Sequence, residues 1–596
     1  MTVLQALDRL YGRLADAEKV PPFGYASEKI SFCIILAPDG RPVAVRDLRD
    51  QTGKRPRPAA VEVPQQASRR TSGVQANFLW DKTSYALGLT ADKPGKKRDP
   101  ASEHRAFVEL HETLLRGAED AGLLALLGFL RTWRPERFEA PPFSGRGNPE
   151  DILDANVVFE LDGAPGEFVH DRPAARDIWA RYRAEAAGAE GMCLVTGEVG
   201  PIAELHPAIK GVPGGQMAGT ALVSFNLDAF NSFGKKQGAN APVSEQAAFR
   251  YTTALNHLLA SDWRHGNRIM VGGDTTVVFW AEAPDAARAA AAESLFATLL
   301  DPPTDEQEAA PVRETLKSLA RGRPLSEISP GVDDATRFFI LGLAPNAARL
   351  SVRFWLESDL GVLARNAARH HEDLVLEPSP FRAPPSARRL LVETAAQGKR
   401  ENIPPLLEGA LMRAILTGGR YPQTLFSAVI MRLRADRDVN GRRAAILKAC
   451  LNRNTNREAS MSLDRNEANP GYRLGRLFAV MESIQQAALG KTINATIRDR
   501  FYGAASATPA SVFPVLLRTA GHHLSSIRKG EKGGLARWFE REMGEIVDGL
   551  PNAFPRNLRI EDQGRFAIGY YHQRFEKRAD APAEAKDSPN PETVEA

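Results

Sequence analysis

Cysteine is scarce in this 596-residue chain: Cys33, Cys193 and Cys450 are odd in number and far apart. That excludes a disulfide framework and a paired-cysteine zinc knuckle, and points to a reducing, cytoplasmic setting. Long apolar runs are missing too. None approaches the roughly 20 residues that a membrane helix needs, so no membrane role is expected. The N-terminal MTVLQALDRLYGRLADAEKV is amphipathic and carries acids, so it does not read as a secretory signal. Catalytic motifs are also absent: there is no HExxH, no Walker loop and no paired CxxC. Gly214-Gly215-Gln216 lacks the lysine and hydroxyl of a phosphate loop. His370-His371 and His522-His523 are adjacent pairs, which point in different directions on a helix. Asp228, Asp274 and Glu282 have no evident partner constellation. The chain therefore reads as a non-enzyme with no cofactor and no metal.

What is present is a soluble-protein composition, 43% hydrophobic and 25% charged. The length exceeds one ordinary core, so several domains are expected. The formal net charge is only +4 but is segregated. Residues 41–105 hold 14 Lys and Arg against 7 Asp and Glu, and residues 461–578 hold 18 against 12. Two basic regions on a nearly neutral chain suggest two places where a polyanion could lie, or else solvated surface.

The periodicity predicts an α+β, multi-domain protein. Leu4, Leu7, Leu10 and Leu14 predict a helix over residues 3–18. Ile30, Phe32 and Ile34, the turn at Pro38-Asp39-Gly40, and Val43 with Val45 predict a hairpin. Residues 51–66 read as an exposed connection. One helix is expected over 101–135, a strand at 154–161, a helix at 173–187 and a short strand at 193–196. A helix capped by Ser244 follows, then a hairpin around Gly272-Gly273-Asp274, a helix at 285–300, and strands flanking Ala344-Pro345-Asn346. Helices dominate from about residue 360. The boundaries expected are 1–360 for the mixed region with antiparallel hairpins, 361–460 for a helical connection, 461–578 for a C-terminal helical bundle and 579–596 for a disordered tail.

Two stretches carry candidate ligand groups. In residues 205–242 a glycine loop, Gly211 to Gly215, precedes the apolar run Ala221-Leu222-Val223-Ser224-Phe225 and then Asn226, Asn231, Lys235, Lys236, Gln237 and Asn240, interleaved with Phe230 and Phe233. Glycines let backbone approach a ligand, and amides and lysines suit base edges and phosphates. A strand with a polar turn at each end is the plainer alternative. In residues 69–82, Arg69, Arg70, Ser72, Asn77 and Lys82 lie among Phe78, Leu79 and Trp80. Arginine holds phosphate bidentately and aromatics stack; alternatively, the rings are core and Asp81 is a cap. In the C-terminal bundle, Leu474, Leu477, Phe478, Met481 and Ile484 form a core stripe. That leaves Arg473, Arg476, Arg498, Arg500, Arg528, Lys529, Lys532 and Arg537 for the outer surface, where they could track a strand by its phosphates. Pro514 is expected to bend or delay the third bundle helix.

Six segments in order carry a family resemblance: RRTSGVQANFLWDKTSYALGL (69–89), LHPAIKGVPGGQMAGTALVSFNLDAFNSFGKKQGANAP (205–242), DTTVVFWA (274–281), ILGLAPNAARLSVRFW (340–355), NPGYRLGRLFAV (469–480) and IGYYHQRF (568–575). Together they resemble the large subunit of the type I-C CRISPR Cascade, an RNA-guided DNA surveillance complex, along nearly the whole chain. The resemblance implies that the N-terminal part reads the protospacer-adjacent motif in double-stranded DNA and starts strand separation and R-loop formation. The residues implied are Arg69, Arg70, Ser72, Asn77, Lys82, Gly214, Gly215, Gln216, Asn226, Lys235, Lys236, Gln237 and Asn240, with Asn77, Gln216 and Asn240 toward bases and Gln216 as a wedge. Arg473, Arg476, Arg498, Arg528, Lys529 and Lys532 would meet the displaced strand or the backbone subunits. The implied partners are guide RNA, the backbone, guide-processing and small subunits, and a helicase-nuclease that does the cutting. Families of this type also translate the bundle separately from an internal start, for which Met461 is placed. A metal-dependent nucleic-acid enzyme using Asp274, or a scaffold without DNA contacts, are the alternative readings.

Overall fold

The computed structural model describes residues 1–52, 55–65, 74–91, 100–144, 151–185, 188–225, 227–260, 266–404, 406–455, 458–490, 494–530 and 533–575. The predicted tail at 579–596 lies outside them. The chain forms two compact units, one of Thr2–Ala208 with Val223–His257, the other of Met1, Ile209–Leu222 and Leu258–Ala596. Strands and helices mix in both, and the C-terminal part is helical, as an α+β reading expects.

In the first unit the leucine stripe forms the helix Val3–Asp16, capped by Thr2, with Leu7, Leu10 and Tyr11 buried. The predicted hairpin forms from Phe32–Leu36 and Pro42–Asp47. Asn156–Leu161 joins parallel to Phe32–Leu36, and Trp80–Lys82 joins antiparallel to Asn156–Leu161. Phe78, Phe107, Phe129, Phe159 and Trp179 fill the core beside this sheet.

Three expectations fail here for local reasons. Residues 51–66 are not all connection: Ala59–Pro64 pairs antiparallel with Tyr25–Ile30, and the alternation of Val61 and Val63 buries Val63. The helix expected over 101–135 is two, Pro100–Leu114 and Ala121–Thr132. Gly117 adopts φ +79, and Asp120 caps the second by accepting from the Gly122 and Leu123 amides. The strand expected at 193–196 lies earlier, at Glu190–Met192, paired with Val199–Pro201. Residues 193–196 are the turn between them, closed by the Gly197 amide donating to the Cys193 carbonyl.

The second unit begins from an antiparallel sheet in the order Arg349–Asp359, Arg337–Asn346, Thr276–Glu282, Arg268–Met270. The buried Glu408 carboxylate accepts from the amides of Gly273, Asp274 and Thr275, tying the hairpin turn to the helix Leu407–Thr417. A Cβ on Gly272 would lie 2.1 Å from that carboxylate, so a larger residue there would displace it. One continuous core runs from Ile269 in the sheet through the helices to Tyr571. The helix Pro509–Lys529 runs on through Pro514, which does not delay its start. Pro514 is exposed in the second turn, where its missing amide forfeits only one bond, to a carbonyl near the helix start.

The helices Pro470–Leu489 and Ile560–Phe575 meet backbone to backbone. A Cβ on Gly475 would lie 2.0 Å from the Phe566 carbonyl oxygen, one on Gly569 would lie 2.2 Å from that of Tyr472, and one on Gly471 would lie 2.3 Å from that of Asp562. This is the physical content of the NPGYRLGRLFAV and IGYYHQRF segments. Glu482, fully buried, accepts from the Thr496 hydroxyl at 2.8 Å, from the Tyr570 hydroxyl and from the Arg574 guanidinium. A buried carboxylate is tolerable only with such partners.

Two outcomes follow. Gly475→Ala should lower stability by about 2–3 kcal/mol, as overpacking does. Gly503→Ala, where a Cβ meets nothing within 4 Å, should be neutral or stabilising by up to about 1 kcal/mol. Thermal melts of the two variants compare them directly. Burial also pushes His111, His170, His206, His371 and His572 down to about 4. They are neutral when folded but bind protons near 6.5 when unfolded. Stability should therefore be fully present above pH 6.5 and fall as pH drops toward 4. A flat melting temperature across that window would contradict this.

Candidate nucleic-acid interface

In the second unit, residues 209–220 form a loop with a clamped base and a free tip. The amides and carbonyls of Ile209 and Thr220 exchange two hydrogen bonds of 2.8 Å, and the Thr220 hydroxyl adds a third at 3.1 Å. The Ala221 amide donates to the Ala348 carbonyl and the Leu350 amide to the Ala221 carbonyl, hooking the loop onto the 337–359 hairpin. Ile209 and Val212 are buried beneath. Gly214 adopts φ +77, and a Cβ there would lie 3.1 Å from Pro345, so a side chain at this position would be strained. Gly215 closes a turn to the Val212 carbonyl and Gly219 one to that of Gln216. Gln216 and Met217 stand exposed at the tip, Met217 completely. The apolar run 221–225 makes no strand; Ala221 alone pairs, beside Arg349.

In the first unit, residues 227–240 form another presented loop. The Gly238 amide donates to the Glu204 carbonyl, and a Cβ at Gly238 would lie 2.0 Å from the Ala203 carbonyl oxygen. The expected base-reader Asn240 has its amide group occupied within the loop. It accepts from the Ser232 amide at 2.9 Å and donates to the carbonyls of Lys235 and Gln237 at 3.2 and 3.0 Å. Asn240 thus braces the loop that carries Lys235 and Lys236, both exposed. Gln237, half-buried, adopts φ +45. Phe233, at the tip, is 97% exposed.

Also in the first unit, Asn77 is only 5% exposed, and its side-chain oxygen has no hydrogen-bond partner among the described residues. Asp81 accepts from the Asn77 amide at 2.9 Å and the Lys82 amide at 2.7 Å. Leu79, buried at φ +64, donates its amide to His111 Nε2. So the rings are core, while Asp81 ties the chain before the helix Thr83–Ala86 without capping it, and Lys82 is half-buried at the sheet edge. Arg69, Arg70, Ser72, Asn226 and Lys532 lie outside the described residues.

The bundle arginines divide. Arg476 corrects the expected outer-surface position. It is 3% exposed, and its Nε donates to Gln573 at 2.9 Å while Nη2 lies 3.5 Å from Glu542, itself buried. A stripe that places Tyr472 and Phe478 inward also turns Arg476 inward, and Glu542 meets it there. Arg473 donates to the Glu467 carbonyl, and Arg498 is half-buried 3.9 Å from Glu482. Arg500, Lys529 and Arg537 are exposed, and Arg528 is exposed beside Glu540. Asp274 also has the partners its sequence context hid: Arg353 Nη2 at 2.9 Å and the Thr275 hydroxyl at 2.9 Å. It secures a turn. Phe233 and Met217 were not among the expected contacts. Their signal was an apolar side chain in a polar, glycine-bearing run with no periodic apolar partner.

Among curated proteins, none matches the chain. The sequence profile of the CRISPR-associated protein Csd1 family matches residues 7–577. With that profile covering nearly its whole length, the chain belongs to the Csd1 family, the large subunits of the type I-C CRISPR Cascade.

Proposed function

We propose that this subunit reads the protospacer-adjacent motif in double-stranded DNA, promotes strand separation and R-loop formation, and holds the displaced strand. Sequence recognition beyond the motif rests on guide-RNA pairing, a division known for single-protein effectors. The observation that carries the proposal is the 209–220 loop, in which a base clamped by paired backbone groups lifts Gln216 and Met217 clear of the fold. A rigid base with an exposed amide suits readout in a groove, since little ordering remains to be done on binding.

In this reading Gln216 reaches base edges and acts as the wedge. Lys82, Lys235 and Lys236 hold phosphate, joined by Arg69 and Arg70. Arg528 and Lys529, with Lys532, meet the displaced strand from the bundle. Arg473 and Arg498 are set deeper and support that face, and Arg476 leaves the list of contacts. The subunit is non-catalytic, works in the cytoplasm beside the backbone, guide-processing and small subunits, and recruits the helicase-nuclease. Residues 1–360 are the motif-reading region, 361–460 connect, and 461–578 match a small subunit, with Met461 as the internal start.

Gln216→Ala should cut the preference of the guide-loaded complex for the authentic motif by about 5- to 150-fold, the 1–3 kcal/mol of a good base contact. Unchanged preference would remove Gln216 from the reading. Lys235→Ala and Lys236→Ala should each weaken DNA binding alike across sequences and lower the slope of log affinity against log salt by about 1. Binding insensitive to salt would favour a scaffold without DNA contacts.

A further inference from the structure

The 227–240 loop presents an aromatic ring in a way that packing does not explain. Phe233 and Gly234 have φ of +51 and +70, and the Lys235 amide donates to the Ser232 carbonyl at 3.0 Å. This is a tight turn with both central residues left-handed, a conformation that favours Asn-Gly. A phenylalanine in its first central position is strained, and strain of this kind persists only where the surroundings impose it. The surroundings here do: the Asn240 amide group makes three hydrogen bonds across the loop, and Gly238 is pressed against the Ala203 and Glu204 carbonyls. The ring gains nothing from the fold in return, being 97% exposed.

Its neighbours state the chemistry of the ligand. Lys235 and Lys236 follow directly, both exposed and neither with an ion-pair partner among the described residues. The acid in the loop, Asp228, accepts from the Asn231 side-chain amide at 3.4 Å. An exposed aromatic beside two free ammonium groups matches a nucleotide, a flat apolar face with an anionic linker. A duplex buries its base faces, so the ring needs an unpaired base.

We propose that Phe233 is a base-stacking residue, taking an unpaired base of single-stranded nucleic acid on its ring while Lys235 and Lys236 hold the adjoining phosphates. The placement rests on the DNA-binding reading above, and the strand expected is target DNA opened beside the motif.

The test uses the guide-loaded complex with the full chain. 5-Iodouracil, which photocrosslinks to stacked aromatics, is placed in turn along each DNA strand and along the guide RNA, and the linked peptide is mapped by mass spectrometry. A crosslink to Phe233 from one DNA strand is expected. It should be lost in Phe233→Ala and kept in Phe233→Trp, and Phe233→Ala should weaken target affinity about fivefold or more at an unchanged melting temperature. A crosslink from guide RNA instead keeps the stacking site and changes its source. No crosslink at Phe233, with affinity in Phe233→Ala equal to wild type, overturns the proposal. So does loss of helicase-nuclease recruitment with DNA binding intact, which would make the ring a protein contact. Motif preference measured on the same wild-type sample separates the two readings: if it is present while Phe233→Ala is neutral, only this inference fails.

Discussion

The C-terminal helices depend on positions that carry no side chain. Pro470–Leu489 and Ile560–Phe575 cross where Gly471, Gly475 and Gly569 let one backbone touch the other, and Gly564 makes room for Phe426 from a third helix. Close crossing strengthens dispersion contacts but leaves no slack for relaxation. It also fixes where Glu482 lies, so that the hydroxyls of Thr496 and Tyr570 and the guanidinium of Arg574 converge on one buried carboxylate. Displacing the crossing would strand that charge. The same register turns Arg476 inward to Glu542 and Gln573, which is why a basic residue in a basic segment is unavailable to a polyanion. The shared core from Ile269 to Tyr571 extends this dependence into the 361–460 helices and the sheet.

Against this framework, the candidate contact groups sit on loops whose bases are fixed and whose tips are bare. Residues 209–220 are closed by Ile209 and Thr220 and hooked to the 337–359 hairpin. Residues 227–240 are braced from within by Asn240. In each loop the residues that hold shape differ from those that meet solvent: Gly214 and Thr220 against Gln216 and Met217, Asn240 and Gly238 against Phe233 and the two lysines. Most loops are surface connections, whereas the 227–240 loop holds an apolar tip in solvent against its own conformational preference.

Where periodicity set local structure, the sequence was legible. The Leu7 and Leu10 stripe, the Pro38-Asp39-Gly40 hairpin, the strands on either side of Gly272-Gly273-Asp274 and the bundle helices all form as the pattern predicts. It misled where composition concealed a short element. Val61 and Val63 alternate within a proline- and arginine-rich stretch, and Gly117 with Asp120 splits an otherwise continuous helical pattern. At the candidate site, residue type was readable and orientation was not. Asn240 looked like a base reader and is a brace; Arg476 looked like surface and is core; Asp274 looked isolated and is paired. Each error has one cause: a polar side chain's partner lies far away in sequence or across a turn, where spacing carries no information. Three glycines of the signature segments, Gly471, Gly475 and Gly569, stand where one helix backbone touches the other.

On the proposed function, motif recognition resides in this subunit. The direct measurement is the affinity of the guide-loaded complex for matched duplex DNA with an authentic or a scrambled flanking motif, in the presence and absence of this chain. A preference of about tenfold or more, near 1.4 kcal/mol, is expected only when the chain is present. A preference that persists without the chain would contradict it.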